Sequence, residues 1–235
     1  MSATPQTDWP AHAAAPNTHA RVFELVQKYF PQPRGKVACD VPCGAGAFSA
    51  NLAGAGMHVT AIDVAAVEPF LHQLSQRVLA DVNAGLPLPD ASQDALITIE
   101  GIEHLENPSF FLRECARVTK ADGWIFLSTP NVDSMRSRRT LFTKGFHRYF
   151  HPVTLGEKTS GHLLPIDMVF LRGAAERAGL EIVEVAVNRI GDWFLLRFLK
   201  NLLRPWLTAQ LPAEMQGEIP FFGEVIIYVM RHKRA

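Results

Sequence analysis

The chain has 235 residues, of which 48% are hydrophobic and 20% are charged. This composition is typical of a folded globular domain and excludes disordered, collagen-like and low-complexity proteins. Lysine plus arginine and aspartate plus glutamate balance at 23 each, so the net charge provides no general attraction to nucleic acid. Three cysteines are too few for a disulfide framework. No signal-like start or membrane-spanning stretch is visible, so we expect a cytoplasmic protein with reduced thiols.

The predicted elements alternate between short apolar runs and amphipathic helical segments. Residues 1–17 are rich in alanine and proline and are predicted to form a flexible arm. Apolar residues at helical spacing predict helices over 18–30, 47–56, 108–118 and 168–178. Apolar runs predict strands over 37–41, 58–63, 77–80, 95–99, 123–128, 180–187 and 225–230. Strands joined by crossover helices predict an α/β fold with a mostly parallel sheet that is covered on both faces.

Two stretches interrupt this alternation within a single domain over 18–235. Residues 131–165 are rich in arginine, phenylalanine and histidine without a clear period, and we predict that they line an acceptor pocket. Residues 192–217 include a segment, 193–206, in which bulky apolar residues alternate with Arg197, Lys200 and Arg204. This pattern is typical of a helix that contacts a membrane surface, although a helix packed on the sheet or on a second subunit has the same pattern.

Charge is distributed unevenly between the two halves of the chain. Acidic residues exceed basic ones by five over residues 1–130, and basic residues exceed acidic ones by five over residues 131–235. The basic half suits an anionic acceptor or a peripheral position at the inner face of the membrane, or reflects an uneven surface only. It contains no dense basic tract, so a nucleic-acid partner is not expected.

A glycine-rich turn follows the first predicted strand, in the sequence Asp40-Val-Pro-Cys-Gly-Ala-Gly46. Glycines allow the backbone to approach a ligand closely. Ser49 occupies the position of the third glycine of the dinucleotide fingerprint. Asp40 would repel a pyrophosphate but would attract a cationic group. The turn therefore favours a cofactor that carries an amino-acid moiety over a nicotinamide dinucleotide.

Two further acids follow neighbouring predicted strands. Asp63 ends the second strand about twenty residues after the turn, where a carboxylate accepts hydrogen bonds from ribose hydroxyls. Asp81 follows the third strand, with Val82 beside it, and suits an adenine amino group and ring. Each acid alone is often only a solvated or capping residue. Together they predict a ligand at the carboxyl edge of a parallel sheet.

These motifs, together with Ile99-Glu-Gly-Ile-Glu-His-Leu-Glu-Asn107 and Gly123-Trp-Ile-Phe-Leu-Ser-Thr-Pro-Asn131, resemble class I S-adenosylmethionine-dependent methyltransferases. The resemblance is strongest to the branch that contains ubiquinone-biosynthesis O-methyltransferases and methyltransferases of envelope sugars and small molecules. It implies a Rossmann-like, doubly wound, seven-stranded sheet, mostly parallel with an antiparallel last strand. It also implies S-adenosylmethionine as the cofactor.

The resemblance assigns roles to residues around the turn and the strand ends. Asp40 would face the methionine ammonium, and Asp63 the ribose diol. Pro42 departs from the family, which usually has glycine there, and proline offers no N–H to a cofactor. The residues assigned to the cofactor are Asp40, Pro42, Gly44, Gly46, Asp63, Val64, Asp81, Val82 and Glu100.

The segment around Glu100, Glu103 and His104 follows the fourth strand, where the transferred methyl group would lie. In the ubiquinone branch, Glu-x-x-Glu-His holds a divalent metal, so the resemblance implies Mg²⁺ or Zn²⁺ on these three residues. Alternatively, His104 acts alone as a general base, with Glu103 beside it, because an imidazole titrates near neutral pH. A structural role, capping the helix that begins near Pro108, is the third interpretation. His162 is a further catalytic candidate, because a similar Gly-His segment approaches the active site in related methyltransferases.

The leading hypothesis is an O-directed methyltransferase that acts on a small-molecule or lipid- or sugar-linked acceptor by in-line displacement. A nicotinamide-dependent oxidoreductase is the rival enzyme class. A cofactor-binding scaffold that has lost catalysis is the alternative that Pro42 favours. A homodimer is a further hypothesis.

Overall fold

The computed structural model describes residues 14–66, 76–151, 161–188 and 222–234. Their seven strands form one sheet in the order β3-β2-β1-β4-β5-β7-β6. The strands are β1 Val37–Asp40, β2 His58–Asp63, β3 Gln76–Leu79, β4 Gln93–Ile99, β5 Thr119–Pro130, β6 Leu180–Val187 and β7 Val225–His232. The helices are α1 Thr18–Tyr29, α2 Ala47–Gly54, α3 Pro108–Val118, α4 Met135–Lys144 and α5 Met168–Arg177.

The direction of the strands confirms the predicted sheet. Strands β1 to β5 pair in parallel, whereas β7 pairs antiparallel with both β5 and β6. The last strand of the chain is thus the antiparallel one, inserted between β5 and β6. Strands β3, β2, β1 and β4 are neighbours in that order, so their carboxyl ends lie along one edge.

Two apolar layers enclose the sheet because consecutive residues of a strand point to opposite faces. In β4, Leu96 belongs to the cluster that includes Phe111 of α3 and Leu171 of α5. Its neighbour Ile97 belongs to the other cluster, which includes Leu25 of α1 and residues of α2. Both layers are buried, which explains why the strands have nearly continuous apolar sequences.

Local capping sets several helix boundaries. The Asn107 side chain accepts a hydrogen bond from the Phe110 N–H at the start of α3, where Pro108 takes the first position. Asp167 caps α5 in the same way, through the Phe170 N–H. These caps follow the chemistry expected at helix N-termini, and both helices were predicted from the sequence.

Helix α4 lies within residues 131–165, where the sequence shows no clear period and no helix was predicted. Ser134 caps its N-terminus, and Gly145 ends it with a positive φ of 81°. Ser137 is the buried residue of this helix. The helix has no buried apolar stripe, so the periodicity on which the sequence prediction relied is absent.

Two other predictions concern segments that lie partly or wholly outside the described residues. Residues 14–17, the end of the predicted arm, are tied to the domain: the Ala15 N–H bonds Glu100, and the Asn188 side chain bonds the Pro16 carbonyl. Residues 1–13 and the segment 192–217 lie outside the described residues, so their predicted flexibility and surface character stay predictions. No helix among the described residues is long and apolar enough to cross a membrane.

Candidate active site

The carboxyl ends of four neighbouring strands bring the predicted acids to one edge of the sheet. Asp40 ends β1, Asp63 ends β2, Asp81 follows β3, and Glu100 follows β4. The order β3-β2-β1-β4 sets them side by side, although they are spread over sixty residues of sequence. In open α/β sheets this edge is where ligands bind.

The glycine-rich turn is anchored to the end of β2. The Gly44 N–H donates to Asp63 Oδ2 at 2.8 Å, and the Cys43 N–H donates to the Ile62 carbonyl at 2.9 Å. Gly44 and Gly46 have φ values of 52° and 77°, a region that side chains disfavour. The space in front of Gly44 is open, with no heavy atom within 4 Å of where a Cβ would stand. The turn thus leaves room for a ligand beside Asp63.

Pro42 fills a specific position in this turn. Its ring lies against Gly101, where a Cβ would stand only 2.2 Å from the Pro42 Cδ atom. The residue that departs from the family pattern therefore packs against the segment that carries Glu100 and Glu103. The sequence pointed to Pro42 and to the Glu100–Glu103 segment, but not to the contact between them.

Asp40 is buried at the end of β1 and accepts a hydrogen bond from the Ser49 hydroxyl. Burial raises the pKa of Asp40 to about 7, because the bonds from Ser49 offset only part of the desolvation cost. An approaching cation would restore its charge. Ser49, noted from sequence only as a missing glycine, is therefore the residue that orients Asp40.

The opposite end of this edge offers hydrogen-bond acceptors and exposed apolar side chains. Asp63 also accepts from the Ala65 N–H at 3.3 Å, and each carboxylate oxygen retains capacity for another bond. Asp81 Oδ1 accepts from the backbone and side chain of Asn83. Val64 is 71% exposed, whereas Val82 is buried. An apolar side chain facing solvent beside an accepting carboxylate suits a ligand with both a ring and hydroxyl groups.

Glu100 adopts a φ of 47°, an uncommon value for a residue with a side chain. Its Oε2 atom accepts a 2.8 Å hydrogen bond from the Ala15 N–H, and burial raises its pKa. The positive φ turns the chain sharply after β4. Glu100 is thereby joined to the N-terminal segment, a contact that the sequence alone did not indicate.

Glu103 is fully buried behind the strand ends. Its Oε2 atom accepts a 3.0 Å bond from the Thr129 hydroxyl, whereas Oε1 has no hydrogen-bond partner. Burial raises the pKa of Glu103 to about 8, so the isolated carboxyl group is protonated at neutral pH. A buried polar atom without a partner is costly, and it indicates a site that binds a further group.

His104 and His162 lie edge to face, with ring centroids 4.8 Å apart. The Nδ1 atom of His104 is 3.3 Å from the Gly161 carbonyl, and that of His162 is 2.9 Å from the Tyr149 carbonyl. A carbonyl only accepts, so each Nδ1 carries the proton and each Nε2 keeps a lone pair. Burial lowers the pKa of both rings, which favours their neutral forms.

Among the described residues, Glu103, His104 and His162 form a group whose ligand atoms lie within 4.8 Å of one another. The predicted metal set contained Glu100 in place of His162. Glu100 is close enough to raise the pKa of Glu103, but it is not part of this group. The structure thus joins the two predicted catalytic segments and brings His162 to the Glu103–His104 pair.

Several residues predicted to line the acceptor pocket converge on Glu224, which sequence reasoning missed. Arg136 and Arg148 form ion pairs with its carboxylate, and the Tyr149 hydroxyl donates to it at 2.6 Å. Glu224 precedes β7, so these bonds attach α4 and the loop after it to the sheet. Arg136, within the stretch predicted to line the acceptor pocket, is therefore paired with an acid of the protein itself.

Comparison with known proteins gives a consistent result. A family model described as a methyltransferase domain matches residues 14–185. The ubiquinone biosynthesis O-methyltransferase of Bordetella avium is 30% identical over 189 residues, which are 73% of this chain and 71% of that protein. A probable S-adenosylmethionine-dependent methyltransferase of Mycobacterium tuberculosis is 32% identical over 126 residues, 52% of this chain and 46% of that protein.

Solved structures agree on the fold. An S-adenosylmethionine-dependent methyltransferase from Archaeoglobus fulgidus matches with a TM-score of 0.58, covering 92% of this chain and 95% of that one at 18% identity. At that identity the likeness concerns the fold alone. The family match and the relatives decide against a nicotinamide-dependent oxidoreductase. With the acids at one sheet edge and β7 antiparallel, they show that this chain belongs to the S-adenosylmethionine-dependent methyltransferases.

Proposed function

We propose that this methyltransferase acts on a hydroxyl group of a small-molecule or lipid- or sugar-linked acceptor. The observation that carries this proposal is the group formed by Glu103, His104 and His162 at the end of β4. It places two neutral imidazoles beside the strand ends where the cofactor of this family would bind. A hydroxyl acceptor needs a proton acceptor, whereas the sulfonium donor is already activated.

The proposed cofactor position follows from the strand ends. The free lone pairs of Asp63 would accept hydrogen bonds from the two ribose hydroxyls. The open space in front of Gly44 would hold the part of the cofactor that links the ribose to the methionine ammonium. Asp40 meets the methionine ammonium, whose positive charge favours ionisation of this buried carboxyl group. Val64 and Val82 supply apolar contacts for the adenine ring.

When bound, the cofactor would supply an activated methyl group, and its sulfur would keep the bonding pair as the acceptor oxygen takes that methyl group. The acceptor proton would pass to an imidazole Nε2. His104 suits this role because its Nδ1 proton is held by the Gly161 carbonyl. Holding the three reacting atoms in line supplies much of the remaining rate.

The donor set also fits a divalent metal, with His162 in place of Glu100. Glu103 Oε1 is buried without a partner, and both histidines bind backbone carbonyls through Nδ1, as metal-ligating histidines usually do. Two imidazoles and one carboxylate suit Zn²⁺ and related ions. Such an ion would lower the pKa of an acceptor hydroxyl bound to it.

Calorimetric titration with S-adenosylhomocysteine tests the cofactor site. We expect micromolar binding to EDTA-treated protein and a loss of about a hundredfold in Asp63→Ala, because two charge-assisted hydrogen bonds disappear. The matched control is Asp122→Ala, an exposed acid near the start of β5, at the end of that strand away from the site. Equal affinity in Asp63→Ala and wild type would contradict the proposed position.

Transfer of radiolabelled methyl groups to a panel of phenols, catechols and amines tests the acceptor class. We expect products on oxygen, and kcat reduced at least a hundredfold in His104→Gln with cofactor affinity unchanged. Methylation confined to nitrogen would refute the hydroxyl assignment, and cofactor binding without turnover on any acceptor would favour the silent scaffold.

Zinc titration of the apoprotein separates the two candidate ligand sets. We expect His162→Ala to weaken zinc binding and Glu100→Gln to leave it unchanged. The reverse pattern would support the set predicted from the sequence. Absence of zinc and magnesium uptake would leave His104 as the proposed base without a metal.

A further inference from the structure

The turn over residues 147–150 contains a backbone conformation that a tyrosine adopts only at a cost. The Phe150 N–H donates to the His147 carbonyl at 3.0 Å, which closes the turn. Tyr149 takes the third position with a φ of 74°, a value that favours glycine because a Cβ crowds the backbone there. Strain of this kind persists only where surrounding contacts maintain it, and it is concentrated at functional sites. The contacts of Tyr149 therefore indicate what the strained turn does.

The turn is attached both to α4 and to the sheet. The His147 Nδ1 atom is 3.1 Å from the hydroxyl of Ser137, the buried residue of α4. Arg148 pairs with Glu224 at 3.2 Å and lies over the Tyr149 ring, 5.1 Å from its centroid. The Tyr149 hydroxyl donates to the same carboxylate at 2.6 Å. Because Glu224 directly precedes β7, the side chain of Tyr149 is tied to the sheet while its backbone takes the positive φ.

This turn presents a carbonyl group and a ring to His162. The Tyr149 carbonyl lies 2.9 Å from the Nδ1 atom of His162, and the Phe150 ring centroid is 5.1 Å from that of the imidazole. The carbonyl only accepts, so it keeps the proton on Nδ1. The Nε2 lone pair is thereby left for the group that His162 forms with Glu103 and His104. The state of His162 thus depends on where the Tyr149 carbonyl points.

We propose that Tyr149 is a positioning residue of this methyltransferase and that it acts through His162. Its bond to Glu224 maintains the positive φ, and that φ directs the backbone carbonyl at the imidazole. Groups that orient a functional histidine through its second nitrogen are worth about tenfold or more in activity or metal affinity. The inference rests on the proposed function of the Glu103–His104–His162 group, but it does not depend on the identity of the acceptor.

Nitrogen NMR of the metal-free full chain, labelled in its histidine rings, tests this role at a pH where the imidazoles are neutral. Comparison with His162→Gln assigns the signals. We expect the wild-type His162 ring to carry its proton on Nδ1. In Tyr149→Phe, which keeps the ring and loses the bond to Glu224, the proton should become shared between Nδ1 and Nε2. A turn with a structural role alone would lose stability without this change.

The matched control is Tyr29→Phe, which removes a similar hydroxyl bond, 2.7 Å to Glu184. Tyr29 stacks on Trp124 near the start of β5, away from the site, so the signals of His162 should stay as in wild type. Tyr149→Gly should keep more of the proton on Nδ1 than Tyr149→Ala does, because glycine adopts a positive φ without cost. Thermal unfolding checks that each variant is folded.

Turnover and zinc titration provide a second readout. Tyr149→Phe should lower kcat and zinc affinity about tenfold while the affinity for S-adenosylhomocysteine is unchanged. A His162 ring that keeps its proton on Nδ1 in Tyr149→Phe would overturn the proposal. Failure of the proposed function would appear differently, as a His162→Ala variant with wild-type turnover and zinc affinity. The response of the imidazole signals to Tyr149→Phe would in that case still support the contact through which Tyr149 orients the ring.

Discussion

Replacement of Gly101 by alanine probes how the turn after β1 supports the candidate active site. Gly101 has φ −124° and ψ −36°, values that alanine tolerates, so backbone strain does not contribute. A Cβ at this position would stand 2.2 Å from Pro42 Cδ and 2.7 Å from Pro42 Cγ. Both distances are far below van der Waals contact, and the proline ring is rigid.

The magnitude follows from this geometry. One methyl group forced into a filled site typically costs about 1–3 kcal/mol, and the closeness of both ring atoms favours the upper half of that range. For a domain of this size, about 2 kcal/mol lowers the melting temperature by roughly 4–8 °C. The shift would also displace Glu100 and Glu103, so we expect weaker cofactor binding in the same variant.

Urea unfolding and thermal melting measure the effect. Gly54→Ala is the control, since Gly54 lies at the end of α2 with no heavy atom near the new methyl group. We expect that variant to be neutral or slightly more stable. In a Pro42→Gly background, the Thr98 hydroxyl oxygen at 3.2 Å still crowds the methyl group, but the cost of Gly101→Ala should fall by about 1 kcal/mol or more, which is the coupling free energy. Equal costs with and without the Pro42 ring would refute the contact as the cause.

Three further results are expected from the buried polar groups. Because burial raises the pKa of Glu103 to about 8, the native state holds a proton that the unfolded state loses near pH 4.5. In EDTA, the difference in unfolding free energy between wild type and Glu103→Gln should therefore fall by about 1.4 kcal/mol per pH unit from pH 5 towards pH 8. A difference that does not change with pH would contradict this. Asp40 has a pKa of about 7, so at lower pH it must lose a proton before it can pair with an ammonium group. The affinity for S-adenosylhomocysteine should therefore rise by up to tenfold per pH unit between pH 5 and 7 in a calorimetric titration. The Asp40→Asn variant should show no such dependence on pH. The Asn188 side chain accepts hydrogen bonds from the Glu224 and Val225 N–H groups and donates one to the Pro16 carbonyl. Asn188→Ala should therefore lower the free energy of urea unfolding by about 3 kcal/mol. A loss below about 1 kcal/mol would show that water replaces these bonds.

Local sequence patterns were sufficient to locate the strands and to predict a mostly parallel sheet, whereas the antiparallel last strand was implied by the family resemblance. Apolar runs such as the one in β4 are long enough to be buried on both faces, and the helices between them show clear stripes and caps. Helix α4 was missed for the opposite reason: it buries Ser137 and presents Phe142 to solvent, so it has no inward apolar stripe. Sequence periodicity reports burial, and a helix that buries little is not detected by it.

The acids of the cofactor edge were also found from the sequence, because a parallel sheet places the ends of neighbouring strands together whatever the length of the connections. Their partners were not. Ser49 beside Asp40, and Pro42 against Gly101, result from how the turn packs, which no spacing rule specifies.

The sequence by itself thus determined the α/β order, the sheet edge and the acids upon it, since each depends on burial or on chain direction. Only the tertiary structure decided that His162 meets His104 and Glu103. It also decided that Glu100 instead binds the N-terminal segment. These contacts join residues far apart in the chain, and they form only after the sheet has fixed where each loop leaves it. The spacing of these residues along the sequence does not predict such contacts, because packing sets the positions of the loops.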